Sequence, residues 1–186
     1  MKKALISLGL GVLLFSGCSA PSKKSAKVID SAVEGLEYQC AGNIAYTAKD
    51  GLMSCYYTPI GFKVGGVKVG IIKKLPADGV VLPQDMVNVD RSDINNDNVK
   101  KLTILLQTLD ADNNPENGIT LKKEDVNKLN LFIDLQKTSL TDFKELISAL
   151  LEKDVVQEDK AINHLYKSMK KFNIPEANSI DLETLQ

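Results

Sequence analysis

The sequence LLQTLDADNNPENGI, residues 105–119, divides the chain into two halves of different character. Before it, short extended runs alternate with turn residues, whereas apolar residues after it recur at helical spacing. Within it, an apolar helical run gives way at Asp110 to a polar loop that ends at Gly118 and Ile119. The stretch therefore predicts an α+β fold, in which a small antiparallel β-sheet or sandwich domain is followed by a small helical domain.

Oxygen-bearing side chains recur at every second position of this loop, which is how a calcium loop of the EF-hand kind directs ligands at one cation. The candidate metal ligands are Asp110, Asp112, Asn114, Asn117 and Glu124, with Asp125 as an alternative to Glu124. Two additional residues, including Pro115, separate Asn114 from Gly118, and no Glu stands at the ideal twelfth position. Asp, Asn, Pro and Gly also favour turns through local hydrogen bonds, so a structural turn is the alternative to a calcium site.

The N-terminus predicts a secretory signal peptide over residues 1–17, because two lysines precede an apolar run that is too short for a permanent membrane span. Ser16 and Gly17 directly precede Cys18, and this pattern resembles the lipobox of bacterial lipoproteins, although Phe15 stands where that family most often has Leu. The resemblance implies that Cys18 becomes the lipid-bearing first residue, carrying palmitate or a related acyl chain. The alternative is an ordinary secreted protein in which Cys18 is a framework thiol.

Residues 18–27 then read as a flexible, lipid-anchored tether. The lipoprotein resemblance implies a Gram-negative envelope, and Ser19 after the Cys implies sorting to the outer membrane, on its periplasmic or surface face. Loss of residues 1–17 removes two lysines and no acid from 23 basic and 24 acidic residues, leaving a net charge near −3. The expected partners are therefore a membrane, through the lipid, and an unidentified protein or surface, but not nucleic acid.

With Cys18 assigned to lipid, Cys40 and Cys55 remain as an even pair in an oxidising compartment, where a disulfide bond is the default. Such a bond contributes about 3 kcal/mol in the chain-entropy model. A redox-active or metal-binding pair is the alternative, but the two residues lack a Cys-x-x-Cys arrangement.

Residues 28–74 predict a β-rich domain of four to six strands. Leu36, Tyr38 and Cys40 alternate with polar residues, Asp50–Gly51 predicts a hairpin between strands 44–47 and 52–57, and Gly65–Gly66 predicts a two-residue primed turn. Residues 75–91 predict a linker without a helix, because Pro76, Gly79 and Pro83 interrupt them and leave only an extended piece over 79–82.

Residues 92–174 predict a helical domain, and residues 175–186 a polar tail. Helices are expected over 99–109, after a polar and acidic cap, over 121–129, from Ser139 or Thr141 onward, and from about Gln157 to Asn173. Residues 131–135 fit either a continued helix or a strand. The apolar spacing of the last two helices predicts one buried stripe on each.

The sequence predicts no enzyme. Its one histidine, His164, lies within an expected helix, and no Ser or Cys nucleophile stands in a recognisable setting, so His164 is interpreted as a surface or packed residue. The remaining His and Cys are too few for a zinc site, and no Gly-rich loop precedes a helix.

Residues 106–119 resemble a segment, LxxLDxDxxPxNGI, found in many proteobacterial surface lipoproteins and adhesin-like proteins. The start of the β-rich part, residues 35–40, matches that family's Gly-x-x-Tyr-x-Cys pattern, and residues 62–70 and 161–165 are also similar. The resemblance implies adhesion or another surface-binding role. We therefore expect a non-enzymatic binding module anchored to the outer membrane, with a calcium-dependent binding module or a periplasmic scaffold or assembly factor as alternatives.

Overall fold

The computed structural model describes residues 22–181. The predicted signal peptide and the lipid-attachment residue Cys18 lie outside the described residues. The described part combines β-sheets with five α-helices, which confirms the α+β prediction. None of these helices has the length and apolar character required to cross a bilayer.

Ten short strands lie within residues 22–181: β1 Lys24–Val28, β2 Val33–Glu34, β3 Glu37–Cys40, β4 Asn43–Tyr46, β5 Leu52–Cys55, β6 Ile60–Val64, β7 Val67–Ile72, β8 Val80–Val81, β9 Ile119–Thr120 and β10 Ile133–Asp134. The helices are α1 Pro83–Val87, α2 Asp97–Thr108, α3 Lys123–Lys128, α4 Leu140–Leu151 and α5 Glu158–Lys171. Short 3₁₀ turns occupy Pro115–Asn117 and Pro175–Asn178.

The strands form a five-stranded sheet of order β10-β7-β6-β3-β4, a three-stranded sheet of order β5-β1-β8 and a β2-β9 pair. The neighbours β3, β4, β6 and β7 pair antiparallel, as do β1 and β5. Each later strand, in contrast, joins an earlier one in parallel: β8 pairs with β1, β9 with β2 and β10 with β7. The β-rich and helical parts of the sequence are therefore connected by shared sheets.

The predicted hairpin at Asp50–Gly51 is wrong. A turn does occur there, with Gly51 at φ +71°, but β4 and β5 belong to different sheets. The Val28 amide donates to the Gly51 carbonyl at 2.9 Å, and β5 continues along β1. A local turn signal indicates that the chain reverses, but it does not select the strand that lies beside it afterwards. The Gly65–Gly66 turn is confirmed, since Val64 pairs with Val67 across it and Gly65 has φ +56°.

The predicted absence of a helix between residues 75 and 91 is also wrong. Pro83 starts α1, at the first helical position, where a missing N–H group costs nothing. The Asp85 carboxylate accepts a hydrogen bond from the Leu82 amide at 2.9 Å, and α1 packs on β7 with Met86 fully buried. The predicted tether over residues 18–27 is wrong from Lys24 onward, because β1 already begins there.

The helix α2 is the most deeply buried of the long helices. It begins after the N-cap Asn96, whose side chain accepts from the Asn98 amide, and its apolar residues are fully buried. Even Lys101 is buried there, and its Nζ donates to the Leu135 carbonyl at 2.6 Å and to the Thr138 carbonyl. Burial lowers the pKa of Lys101. One hydrophobic cluster includes residues of β1 to β3, of β5 to β8 and of α1, α2, α4 and α5, so residues 75–91 do not separate two cores.

Candidate functional site

The loop after α2 is built around the side chain of Asp110. Its Oδ1 accepts from the Thr120 amide at 3.0 Å, and its Oδ2 accepts from the Asn114 amide at 2.8 Å. Asp112 accepts from the same Asn114 amide at 3.0 Å and from Nδ2 of Asn117 at 2.9 Å. Both carboxylates therefore stabilise the loop by accepting its own N–H groups, which is how Asp residues form turns.

The same loop brings two of the five candidate calcium ligands face to face. Burial raises the pKa of Asp110, and the adjacent Asp112 carboxylate raises it further, against the backbone hydrogen bonds. Hydrogen bonds from Asn117 and Asn114 lower the pKa of Asp112. Glu124 lies in the first turn of α3, and residues 22–181 contain no group of three acidic, His or Cys side chains arranged for a metal. Glu124 is therefore not brought to the Asp110–Asp112 pair, and calcium binding by the loop stays a prediction.

The outer side of the loop forms one wall of an open cleft of about 630 Å³, and α5 forms the facing wall. We call this cleft the loop–α5 cleft. Its lining residues are Asn113, Pro115 and Glu116 from the loop, Lys160, Asn163, His164 and Lys167 from α5, and Gln107 and Val156. Both walls carry polar side chains, and the α5 wall carries two lysines. The cleft can therefore accept hydrogen-bonding and charged groups of a ligand.

A buried carboxylate lies behind this cleft. Asp30, at the end of β1, has no exposed surface, and both of its oxygens accept from Nε2 of Gln107 at 3.1 and 3.2 Å. The same Nε2 donates to the Ala161 carbonyl of α5 at 3.0 Å. Burial raises the pKa of Asp30 to about 7, although the Gln107 hydrogen bond opposes this shift. One amide thus ties β1, α2 and α5 together around a group that is partly protonated at neutral pH.

Three side chains beside Asp30 form a chain of contacts from Ser31 through His164 to Glu116. Oγ of Ser31 lies 3.1 Å from Nε2 of His164, and Nδ1 of His164 lies 3.5 Å from a carboxylate oxygen of Glu116. Burial lowers the pKa of His164, although Glu116 opposes the shift. Ser31 also has a left-handed backbone, with φ +55°. This order of groups resembles a hydrolytic triad.

Unlike the nucleophile of a hydrolytic triad, Ser31 is buried. Ser31 is 4% exposed and is not among the residues that line the loop–α5 cleft. Its amide donates to Oγ of Ser168 at 3.0 Å, and its hydroxyl lies 3.4 Å from the same oxygen. The group therefore acts as a buried polar contact between the end of β1 and α5. His164 is packed, which is one of the two outcomes expected for it.

The sequence of α5 contains a signal for this polar cluster. Counted from Ala161, His164 and Ser168 fall at helical spacing on the same stripe of α5 as the buried Leu165 and Met169. Polar residues on an otherwise apolar stripe need buried partners. Nothing in the local sequence identified Asp30 or Ser31 as those partners, because they lie more than 130 residues away.

The Cys40–Cys55 disulfide bond is confirmed, with the two Cα atoms 5.7 Å apart. It connects β3 of the five-stranded sheet to β5 of the three-stranded sheet. A separate ion-pair network holds the 78–91 segment, where Arg91 donates to Asp85 at 2.9 Å and to Asp78. The disulfide therefore links the two sheets, and the ion-pair network surrounds α1.

Comparison with known proteins gives this chain no relative: no family model, no curated protein and no solved structure matches it. Membership of the proteobacterial surface lipoprotein family therefore stays a prediction.

Proposed function

We propose that this protein is a lipid-anchored binding module of the bacterial cell envelope, held at the outer membrane through Cys18 and binding its partner in the loop–α5 cleft. The observation that carries the proposal is the position of the 105–119 segment, because its polar loop supplies one wall of the cleft. The segment that resembles surface lipoproteins most specifically is thus also the segment that faces an open cavity. A non-enzymatic role agrees with the covered hydroxyl of Ser31.

The anchor is tested by acylation at Cys18. Cells labelled with a palmitate analogue should incorporate it into the wild-type chain and not into a Cys18→Ala variant, and fractionation should then move the variant out of the outer membrane. Labelling that is equal in the two chains, or absent from both, would contradict a lipid on Cys18.

The role of the cleft is tested by charge reversal on its α5 wall. Lys160 and Lys167 are exposed and line the cleft, so Lys160→Glu with Lys167→Glu should weaken adhesion of expressing cells to a neighbouring bacterial or host-cell surface. Lys170→Glu with Lys171→Glu is the matched control, because both lysines are exposed on α5 but do not line the cleft. Equal adhesion of the two variants would exclude this cleft as the binding site.

The side of the outer membrane on which the protein lies distinguishes an adhesin from a periplasmic scaffold. Protease added to intact cells should degrade the protein if it functions in adhesion. Protection in intact cells, with degradation after the outer membrane is permeabilised, would exclude adhesion and favour the scaffold.

A calcium-dependent binding module is the second candidate, favoured by the close approach of the Asp110 and Asp112 carboxylates. A ligand at a hundred times its dissociation constant stabilises a protein by about 2.7 kcal/mol. Millimolar calcium should therefore raise the melting temperature of the wild-type chain and leave that of an Asp112→Asn variant unchanged. An unchanged wild-type melting temperature would exclude this candidate.

A further inference from the structure

Exposed tyrosine and lysine side chains cluster at the end of the sheets where the described chain begins. We call this cluster the N-terminal face; it consists of Lys23, Lys24, Tyr56, Tyr57, Lys73 and Lys74, all of them exposed. Tyr56 and Tyr57 are 51% and 56% exposed, so two adjacent aromatic side chains face solvent.

The two tyrosines are held in place by the covalent structure beside them. Cys55, bonded to Cys40, directly precedes Tyr56, so the disulfide fixes the base of the aromatic pair. The ring centroids of Tyr56 and Tyr57 lie 6.4 Å apart, and Nζ of Lys23 lies 5.9 Å from the Tyr56 centroid. The aromatic surface is therefore presented to solvent on a fixed base.

A cross-strand row with two exposed isoleucines continues this surface along the five-stranded sheet. Ile44, Gln39, Gly61 and Ile71 are successive cross-strand partners of β4, β3, β6 and β7, so their side chains lie on one face. Ile44 is 62% exposed and Ile71 is 44% exposed. Tyr57 lines a shallow cleft of about 300 Å³ together with Gln39, Gly61 and Ile71, which makes the row continuous with the N-terminal face.

All four charged residues of the N-terminal face are lysines, so the face is positively charged. Lys24, Tyr56, Tyr57 and Lys74 line a second cleft, of about 270 Å³, and its lining includes no carboxylate. Lys73 and Lys74 directly follow β7, whereas the chain as a whole has a net charge of −1. Tyr side chains concentrate at membrane–water interfaces, and clustered lysines attract anionic lipid headgroups. Aromatic and basic groups together fit a bilayer surface better than an apolar protein partner.

The distance to the proposed anchor places this face near the membrane. Five residue steps separate Cys18 from Lys23, and a fully extended chain covers at most about 18 Å over that number. A lipid on Cys18 would therefore keep the backbone of Lys23 within this distance of the bilayer, whatever path the connecting residues take, and Lys23 contacts Tyr56.

We propose that the N-terminal face lies against a phospholipid bilayer, with Tyr56 and Tyr57 at the level of the headgroups and the four lysines on lipid phosphates. The proposal rests on the lipid anchor proposed above and adds an orientation to it: the tyrosine end of the sheets points toward the membrane. Leu131, whose carbonyl packs against Gly66 at the far end of the β6–β7 hairpin, marks the opposite end.

The chain contains no Trp, so single Trp substitutions report on their own positions. We expect Tyr56→Trp and Tyr57→Trp, in the full chain reconstituted into vesicles of phosphatidylethanolamine and phosphatidylglycerol, to show blue-shifted emission and quenching by brominated lipid. Phe132→Trp is the control, because Phe132 is 77% exposed and follows Leu131 at the opposite end. Emission from the two tyrosine positions that matches that of Phe132→Trp, whether quenched or not, overturns the proposal.

The contribution of the lysines to membrane contact is tested in the Tyr56→Trp background. Lys73→Glu with Lys74→Glu should reduce the quenching, and Lys170→Glu with Lys171→Glu on α5, an equal change of charge, should leave it unaltered. Raising the salt from 0.1 to 1 M, which shortens the Debye length from about 10 to about 3 Å, should also reduce it. Equal quenching in both pairs of variants overturns the role of the lysines.

Mass spectrometry of Cys18 in the same samples separates this proposal from the anchor. Acylated chain without differential quenching contradicts the orientation alone. Chain without an acyl group contradicts the anchor alone if Tyr56→Trp is still quenched more than Phe132→Trp, and contradicts both if it is not.

Discussion

The hydroxyl of Ser31 lies 3.1 Å from Nε2 of His164, although 133 residues separate them in the chain. This contact, together with the Ser168 hydroxyl, closes the end of β1 onto α5 and places buried polar groups behind the loop–α5 cleft. The stability of the cleft wall therefore depends on hydrogen bonds between the first strand and the last helix, and the first two predictions address them.

Replacing Ser168 by Ala should destabilise the protein by about 1–3 kcal/mol, because the buried Ser31 amide loses its acceptor at 3.0 Å. Urea unfolding measures this change. Thr141→Ala, at an exposed position in the first turn of α4, is the control and should stay within about 0.5 kcal/mol of wild type. Equal midpoints for both variants would contradict a stabilising role of the Ser168 hydroxyl.

Stability should fall as the pH rises from about 4 to about 7, because Asp30 has a pKa of about 7 when folded and an ordinary pKa of 3.8. Across that window the native state binds more protons at Asp30 than the unfolded state does, so each unit of pH favours unfolding. His164 contributes the opposite slope near its ordinary pKa of 6.5, because burial lowers its folded pKa.

An Asp30→Asn variant tests this pH dependence, because it keeps the shape of the side chain and removes its titration. Unfolding free energies measured at several pH values should decline less steeply for Asp30→Asn than for wild type. A wild-type slope in the variant would show that Asp30 does not titrate in this window.

The Cys40–Cys55 bond should contribute about 3 kcal/mol, the value expected for a closed loop of about 15 residues. Cys40→Ala with Cys55→Ala should therefore lower the urea midpoint, and reductant should lower that of wild type to a similar extent. Reductant should have no further effect on the double variant, which serves as its own control. A wild-type midpoint in the double variant would contradict the expected contribution.

Gly70 should tolerate no side chain. A Cβ atom there would lie 2.0 Å from the Met86 carbonyl oxygen, so Gly70→Ala forces β7 and α1 apart, a change that typically costs about 1–3 kcal/mol or more. Gly61→Ala is the matched control on the neighbouring strand, because a Cβ atom there meets nothing within 4 Å. Thermal unfolding should separate the two variants, and equal melting temperatures would contradict the close packing of α1 on β7.

The features of the fold that depend on neighbours in sequence could be predicted. The alternation of Tyr38 and Cys40 with polar residues marked β3, and the spacing of Leu165 and Met169 marked the buried stripe of α5. Of the two candidate caps for α4, Ser139 and Thr141, the structure has Ser139. The disulfide pairing followed from the expectations that Cys18 carries lipid and that the compartment is oxidising, which left two cysteines to pair. In each case the prediction depended on residues close together in the sequence or on the number of cysteines.

The features that depend on partners distant in the sequence could not be predicted. The turn at Gly51 was visible, but the choice of β1 over β4 as the partner of β5 is made by the three-dimensional core. The same is true of β9 and β10, which are two residues long and exist because β2 and β7 offer them backbone partners. At the candidate site, the acidic loop was predicted, whereas its position opposite α5 required the whole fold.

The first strand of the described chain lies in the middle of its sheet, with β5 on one side and β8 on the other. Any mechanical load that reaches the domain through its N-terminal segment is applied directly to β1. Detachment under such a load requires that β1 break its hydrogen bonds to both neighbours. The hydrogen bonds of Asp30 with Gln107 and of Ser31 with Ser168, just beyond the far end of the strand, also resist it. The endurance of the domain when pulled from this end is then governed by the rate at which a central strand is extracted, rather than by the equilibrium stability of the fold.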